Sequence, residues 1–522
     1  MADSALLDEF VRLNAAVDRP NRHAADYILV DAAYRDFYIV ACTLKIADCV
    51  ARLQGRSMAV MVAANADPDV MRVVQSFQPA AILPLGKLAG RGMIAAAGAV
   101  VAAAARLNTG DKLVRYAVEG RPVGFHLYDT LLMRFGLATI ESMSLRHRAN
   151  LFAELSILHG VRATLADRAP AFAILPDTVY RSGALFQLLA ARRIPMLAAL
   201  DLNGLAAHFY RSDEDYNAHC RKPDADVFER IVSDPVLFAK AEEYLAHRTS
   251  GAETQHDVKT AYRADAAFVD RASLSKMMGL TGAKPIVMIA SHVLSDAPHA
   301  CEGLLHQDYQ HWLLATCRRL VRNEAVDFFV KEHPSSGLYG QQGLCKQILQ
   351  SEGFERHLLP AAVNTRSLFN VVDAVITCGG TAGAEFPCFG VPVLLAAGAA
   401  YDGLGYVRRA RSIVEYEAEL DRLQGYQRLT ADQVRRARAG LFVIQAGMRV
   451  PKAMLGLGSQ PLMMGHVIDI DAFLRELIDD LRSGAGYAAL RQTLDDLLRG
   501  RSMNLIARGL GSEMTNPVTV PS

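Results

Sequence analysis

Four short segments carry residue types that could do chemistry. The first is Val375-Ile-Thr-Cys-Gly-Gly-Thr-Ala-Gly-Ala-Glu385, an apolar run that breaks into glycines. Gly379, Gly380 and Gly383 would let a ligand approach the backbone closely, and the N–H groups of a helix starting near Thr381 would attract phosphate. Thr381 can cap that helix or donate to a phosphate oxygen, and Glu385, one turn on, can hold two ribose hydroxyls. Read plainly, the same run is a glycine-rich turn linking strand to helix. The second segment is Phe329-Val-Lys-Glu-His-Pro-Ser-Ser336. Lys331 and His333, just past a strand ending at Val330, can neutralise a diphosphate or stabilise a leaving nucleotide. Pro334 fixes the turn, and Ser335 or Ser336 can cap the next helix. The plain alternative is a surface strand end with a solvated lysine.

The third segment, Ile289-Ala-Ser-His-Val-Leu-Ser-Asp296, offers His292 and Asp296 as catalytic groups or as a satisfied structural pair. The fourth, around Gly120–Arg134, holds Asp129 in an otherwise apolar stretch. A carboxylate is costly to bury there, and desolvation would raise its pKa toward that of a useful general base. The competing role for Asp129 is a helix cap.

Positioning these groups requires strands that end where the polar residues begin. Tyr27–Asp31, Met58–Val62, Ala80–Pro84, Ala171–Leu175 and Ile194–Ala198 read as strands. Phe37–Leu53 and Gly183–Arg193 read as helices between them. Such alternation predicts a parallel sheet with helices on both faces. The pattern restarts at Lys284–Ala290 and runs through Val326–Val330, Ala374–Thr377 and Val391–Leu395, with a helix over Gln307–Asn323. Residues 210–280 read as charged and helical, the end of the first unit and a crossover into the second. The expected division is 1–275, 276–460, and 461–522 for C-terminal helices and a frayed tail.

The chain of 522 residues, 51% hydrophobic and 21% charged, suits two globular domains, and a net charge of +1 argues against a nucleic-acid partner. Its eight cysteines form no C-x-x-C pair, and no metal-ligand cluster or Asp-x-Asp triplet is visible, so no metal and no resident cofactor are expected. The cysteines read as small buried thiols in a reducing compartment. The N-terminus lacks the pattern of a secretory signal, and Met93–Leu107, about 15 residues of apolar chain, reads as a buried helix rather than the roughly 20 residues of a membrane span.

The order of these segments resembles bacterial glycosyltransferases of the GT-B architecture, especially capsule and lipopolysaccharide biosynthesis proteins. The likeness rests on Lys331-Glu-His-Pro334, on Gly379–Glu385 closed by Phe389-Gly-Val-Pro392, and on Tyr128-Asp129 with Ser291-His292 and Asp296. It implies an α/β fold of two Rossmann-like domains facing a cleft, with C-terminal helices returning toward the first domain. It also implies a cytoplasmic, metal-independent transferase moving a sugar from a nucleotide-sugar donor to a glycan or lipid-linked acceptor, with peripheral association to the inner membrane. By that resemblance Lys331, His333, Gly379, Gly380, Thr381, Gly383 and Glu385 would serve the donor, and Asp129, His292 and Asp296 the catalysis. Three alternatives share the plan: a sugar-nucleotide 2-epimerase, a CDP-polyol phosphotransferase, and a non-catalytic assembly protein of polysaccharide synthesis.

Overall fold

A computed structural model describes residues 3–19, 26–198, 208–211, 222–251, 256–263, 265–300, 302–447, 452–455 and 469–499. The expected frayed tail, Cys220 and Cys301 lie outside the described residues. The strands are β1 (Tyr27–Ala32), β2 (Ser57–Val62), β3 (Ala81–Pro84), the short pair β4 (Ala117–Val118) and β5 (Arg121–Pro122), β6 (Phe172–Leu175), β7 (Met196–Ala198) and β8 (His208–Tyr210). The second half supplies β9 (Ile286–Ala290), β10 (Asp327–Lys331), β11 (Ala374–Thr377), β12 (Val393–Leu395) and β13 (Arg408–Arg409). Every expected strand is present, with ends displaced by at most two residues.

The first sheet runs β3-β2-β1-β6-β7-β8, parallel except for β8 against β7. Its strands are apolar on both faces because helices cover both. Ile28, Val30, Val60 and Ile174 bury on one side and Leu29, Met61, Ala173 and Leu175 on the other. The first face is covered by the helix Phe37–Gln54, which stops at left-handed Gly55 (φ 67°), and by Ser4–Ala15. The C-terminal helices Ile470–Ser483 and Ala485–Leu498 return to this face and bury Phe473, Leu477 and Leu494 in the same cluster. Buried Lys45 pairs with Asp480 there.

Over the opposite face the helices Leu85–Arg106 and Leu145–Asp167 lie in close contact. A Cβ on Gly92 would fall 1.9 Å from the Ser156 carbonyl oxygen, so glycine is needed for the approach. The expected buried helix at Met93–Leu107 is instead the latter part of the segment Leu85–Arg106, which is kinked at Ala96 (φ −149°, ψ 30°), and much of its outer side faces solvent. Only one side of it finds a partner to bury against.

The second sheet runs β10-β9-β11-β12-β13, all parallel. Two Rossmann-like α/β halves therefore succeed each other along the chain, as expected. The helices Ala225–Ser233 and Pro235–Thr249 bury Phe228, Ile231 and Phe238 against the second sheet. By packing they go with the second half, although they precede the expected boundary at 275; their apolar side chains cluster with Ile286, Met288 and Val375 of that sheet, which sequence order alone does not reveal.

Candidate functional site

The chain runs from β9 to β10 on one side and then crosses to β11 on the other. The crevice at the carboxyl ends of these three strands is therefore a switch point, where open α/β sheets bind ligands. An open hollow lies there. Ser291 and His292 reach it from β9, Lys331, Glu332 and His333 from β10, and Thr377, Gly380, Thr381 and Glu385 from β11.

Lys331 is the last residue of its strand, and burial pulls its ammonium down to about 8, against the opposite pull of the Glu385 and Glu332 carboxylates. Burial, and then Lys331, pushes His333 down to about 4, so its imidazole is neutral at pH 7. Its Nδ1 accepts the Ser335 N–H at 3.2 Å, which puts the ring proton on Nε2. His333 thus offers a hydrogen bond rather than the charge expected for neutralising a diphosphate; in this hollow Lys331 carries the charge. Glu332, not singled out in the sequence, has a buried Oε1 without a partner among the described residues.

Gly379 sits at φ 147°, a backbone conformation that favours glycine, and a Cβ on Gly383 would meet the Tyr401 hydroxyl at 2.2 Å. The helix after the loop is shorter than expected. It is one turn, Ala382–Glu385, passing at Phe386–Phe389 into a 3-10 turn that contains Pro387. Thr381 makes no capping bond, which leaves its hydroxyl to the hollow. Nor does Ser335 cap the turn after it; Ser336 Oγ donates instead to the His333 carbonyl at 2.9 Å.

Glu385 is buried, with Oε1 accepting from Arg248 Nε at 2.7 Å and Oε2 from the Tyr262 hydroxyl at 2.5 Å. Both oxygens already have partners, so this carboxylate anchors Arg248 at the wall of the hollow. Arg248 and Tyr262 come from the segment read as crossover, and neither stands in a motif that sequence reading could find. Burial also makes His292 neutral, near 3. It stacks on Tyr309 at 4.1 Å, and its Nε2 accepts the Cys378 N–H at 3.3 Å. This bonding makes it a support for the end of β11 rather than a free catalytic group.

Asp129 and Asp296 do not line the hollow. Asp129 lies within the helix Gly124–Phe135, which overturns the capping role. It accepts from His299 Nδ1 at 2.7 Å and from the His299 N–H at 3.2 Å. Burial pushes its carboxyl up, with His299 opposing. Asp296 accepts from the Tyr180 hydroxyl at 2.6 Å and the Tyr339 hydroxyl at 3.0 Å, and burial raises it too. With Tyr128 donating to Asp308 at 2.6 Å, these contacts join the two halves through the loop after β9. A further acidic pair was missed in sequence. Asp31 is next to last in β1 and Asp177 comes just after β6, at the switch point of the first sheet. Burial pushes Asp177 up to about 7.

Residues 229–422 match the family model described as capsule polysaccharide biosynthesis protein. The chain resembles capsule polysaccharide biosynthesis proteins. The match spans β9–β12 and the whole hollow. No curated protein matches the chain. Among solved structures, Thermosulfurimonas dismutans KpsC, beta Kdo 2,4 transferase, is similar at 16% identity and TM-score 0.32, over 52% of this chain and 80% of that one. The beta Kdo 2,7 transferase of the same KpsC is similar at 14% identity and TM-score 0.30, over 61% and 88%. Anabaena Alr3699/HepE in complex with UDP-glucose is similar at 12% identity and TM-score 0.25, over 88% and 100%.

Proposed function

We propose that this protein is a glycosyltransferase of capsule or lipopolysaccharide synthesis. It would move a sugar from a nucleotide-sugar donor to a cell-surface glycan acceptor in the cytoplasm. The observation that carries the reading is the convergence of Lys331, His333, Thr381 and the glycine loop on one hollow at a switch point, inside the family-matching segment. A nucleotide diphosphate there would meet the Lys331 ammonium, the His333 Nε2–H, the Thr381 hydroxyl and backbone N–H groups. Glu385, held by Arg248 and Tyr262, would fix the wall on which the nucleoside rests. The attacking hydroxyl would lose its proton to a buried carboxylate between the halves, Asp129 first and Asp296 second. No metal is assigned a role.

A thermal-shift screen against CMP, UDP, GDP and CDP tests the donor half. Ligand at a hundredfold excess over Kd adds about 2.7 kcal/mol to stability. The cognate nucleotide should raise the melting temperature, and Thr381→Ala with His333→Ala should abolish the rise while leaving the unliganded melting temperature near that of the parent. Unchanged nucleotide binding in the double variant removes the proposed site. Turnover of a nucleotide sugar without any acceptor would instead favour the 2-epimerase.

A further inference from the structure

The helix Leu85–Arg106 buries Leu88, Gly92, Val100 and Ala103 but lacks the polar outer face that a surface helix ordinarily shows. The segment is two helical stretches joined by a kink at Ala96 (φ −149°, ψ 30°); the outer side carries Lys87, Arg91 and Ile94 before the kink and Gly98, Val101 and Ala105 after it, all exposed. Ile94 is 91% exposed and Val101 54%. At the start of the neighbouring helix Leu145 is 85% exposed, and beside it Arg146 is exposed too. A helix side that leaves large apolar side chains exposed in this way marks a docking face.

The inner side fixes how the helix lies. By length and composition it could cross a membrane. Gly92 against Ser156 and Gly160 against Leu88, however, hold it along Leu145–Asp167, so it lies flat on the first half.

Charge selects the occupant. The helix contains no acidic residue, and the one carboxylate paired to it among the described residues, Asp167, is taken by Arg91. A second copy docked by two-fold symmetry would set Lys87 and Arg106 against basic residues like themselves. An anionic lipid surface would answer those charges and accept Ile94, Val101 and Leu145 between its headgroups. We propose that this face binds the surface of an anionic bilayer, with the helix in the plane of the interface. The inference does not rest on the donor site, which lies in the other half.

Flotation of the full chain with vesicles tests it. Vesicles of phosphatidylcholine mixed with phosphatidylglycerol should capture the protein, and phosphatidylcholine alone should not. Added salt should weaken capture, and Lys87→Glu with Arg106→Glu should weaken it about tenfold or more. Ile94→Gln with Val101→Gln should also abolish most capture while keeping the melting temperature and any nucleotide-induced stabilisation. Ile94→Gln alone serves if the pair perturbs folding. Equal capture by both vesicles, capture by neither, or full capture of the glutamine variants overturns the proposal. A dimer in light scattering that the glutamine variants dissociate would assign the face to a second copy and overturn it as well.

Discussion

Asp177 accepts a hydrogen bond from the Val179 N–H at 3.1 Å and another from the Tyr34 hydroxyl, yet burial still dominates its titration. Its folded pKa of about 7 lies above the ordinary aspartate value, so the folded state favours the protonated acid. The favourable contribution is complete below about pH 4 and is lost as pH rises through about 7. Asp177→Asn keeps an acceptor for Tyr34 and removes the charge. We expect the variant to match the parent near pH 4 and to exceed its stability by up to about 4 kcal/mol at pH 8, read from melting curves across that range. A constant difference at all pH values would mean that Asp177 titrates normally. The residue lies at the first sheet's switch point with Asp31, which accepts from Ser182 Oγ at 2.7 Å, so the first half has its own polar crevice to set beside the donor hollow.

At the scale of elements, strands place chemistry and helices cover them. The helix Ile470–Ser483 packs on Ser4–Ala15 and on the helix after β1, across more than four hundred residues of chain. Phe473 is fully buried in that contact and stands edge-on to Phe37, with ring centres 6.3 Å apart. Phe473→Ala should therefore cost about 3–5 kcal/mol and lower the melting temperature of the first half. A loss below about 1 kcal/mol would mean that the C-terminal helices dock loosely. The donor hollow sits on other elements, so the nucleotide-induced rise should survive in any fraction of the variant that remains folded.

At the scale of the whole molecule, the halves are linked by hydrogen bonds between Asp129 and His299, Tyr180 and Asp296, and Tyr128 and Asp308. Burial opposes charge on His299, but the Asp129 carboxylate outweighs it and raises the imidazole pKa. The stabilisation from protonated His299 is complete below the ordinary histidine value of about 6.5 and is lost as pH rises through the raised folded value. Asp129→Asn should thus cost most stability near pH 6, with the deficit shrinking as pH rises. If Asp129 also takes the acceptor proton, turnover should fall about 100-fold or more while nucleotide binding is retained. Near-normal turnover would leave Asp129 as a link between the halves and move the search to Asp296. Transfer should also survive EDTA, because Lys331 and backbone N–H groups meet the phosphates in the proposed site. Activity lost in EDTA and restored by magnesium or manganese would contradict that.

The local pattern determined much of this chain. Apolar runs ending in polar residues mark β1, β2, β9, β10 and β11 because a strand buried on both faces must be apolar along its length. The glycines at 379, 380 and 383 and the Lys331–His333 segment were legible for the same reason: each sits next to its strand in sequence. Tertiary structure decided the rest. Arg248 and Tyr262 reach Glu385 from 137 and 123 residues away, and His299 meets Asp129 across 170, with no local periodicity to announce either contact. Burial, which converts His292 and His333 into neutral groups and lifts Asp177, depends on what packs above a residue, not on its neighbours in the chain. For the same reason an alanine-rich helix that reads as buried turns one side to solvent, since sequence specifies how apolar a face is but not whether another element arrives to cover it.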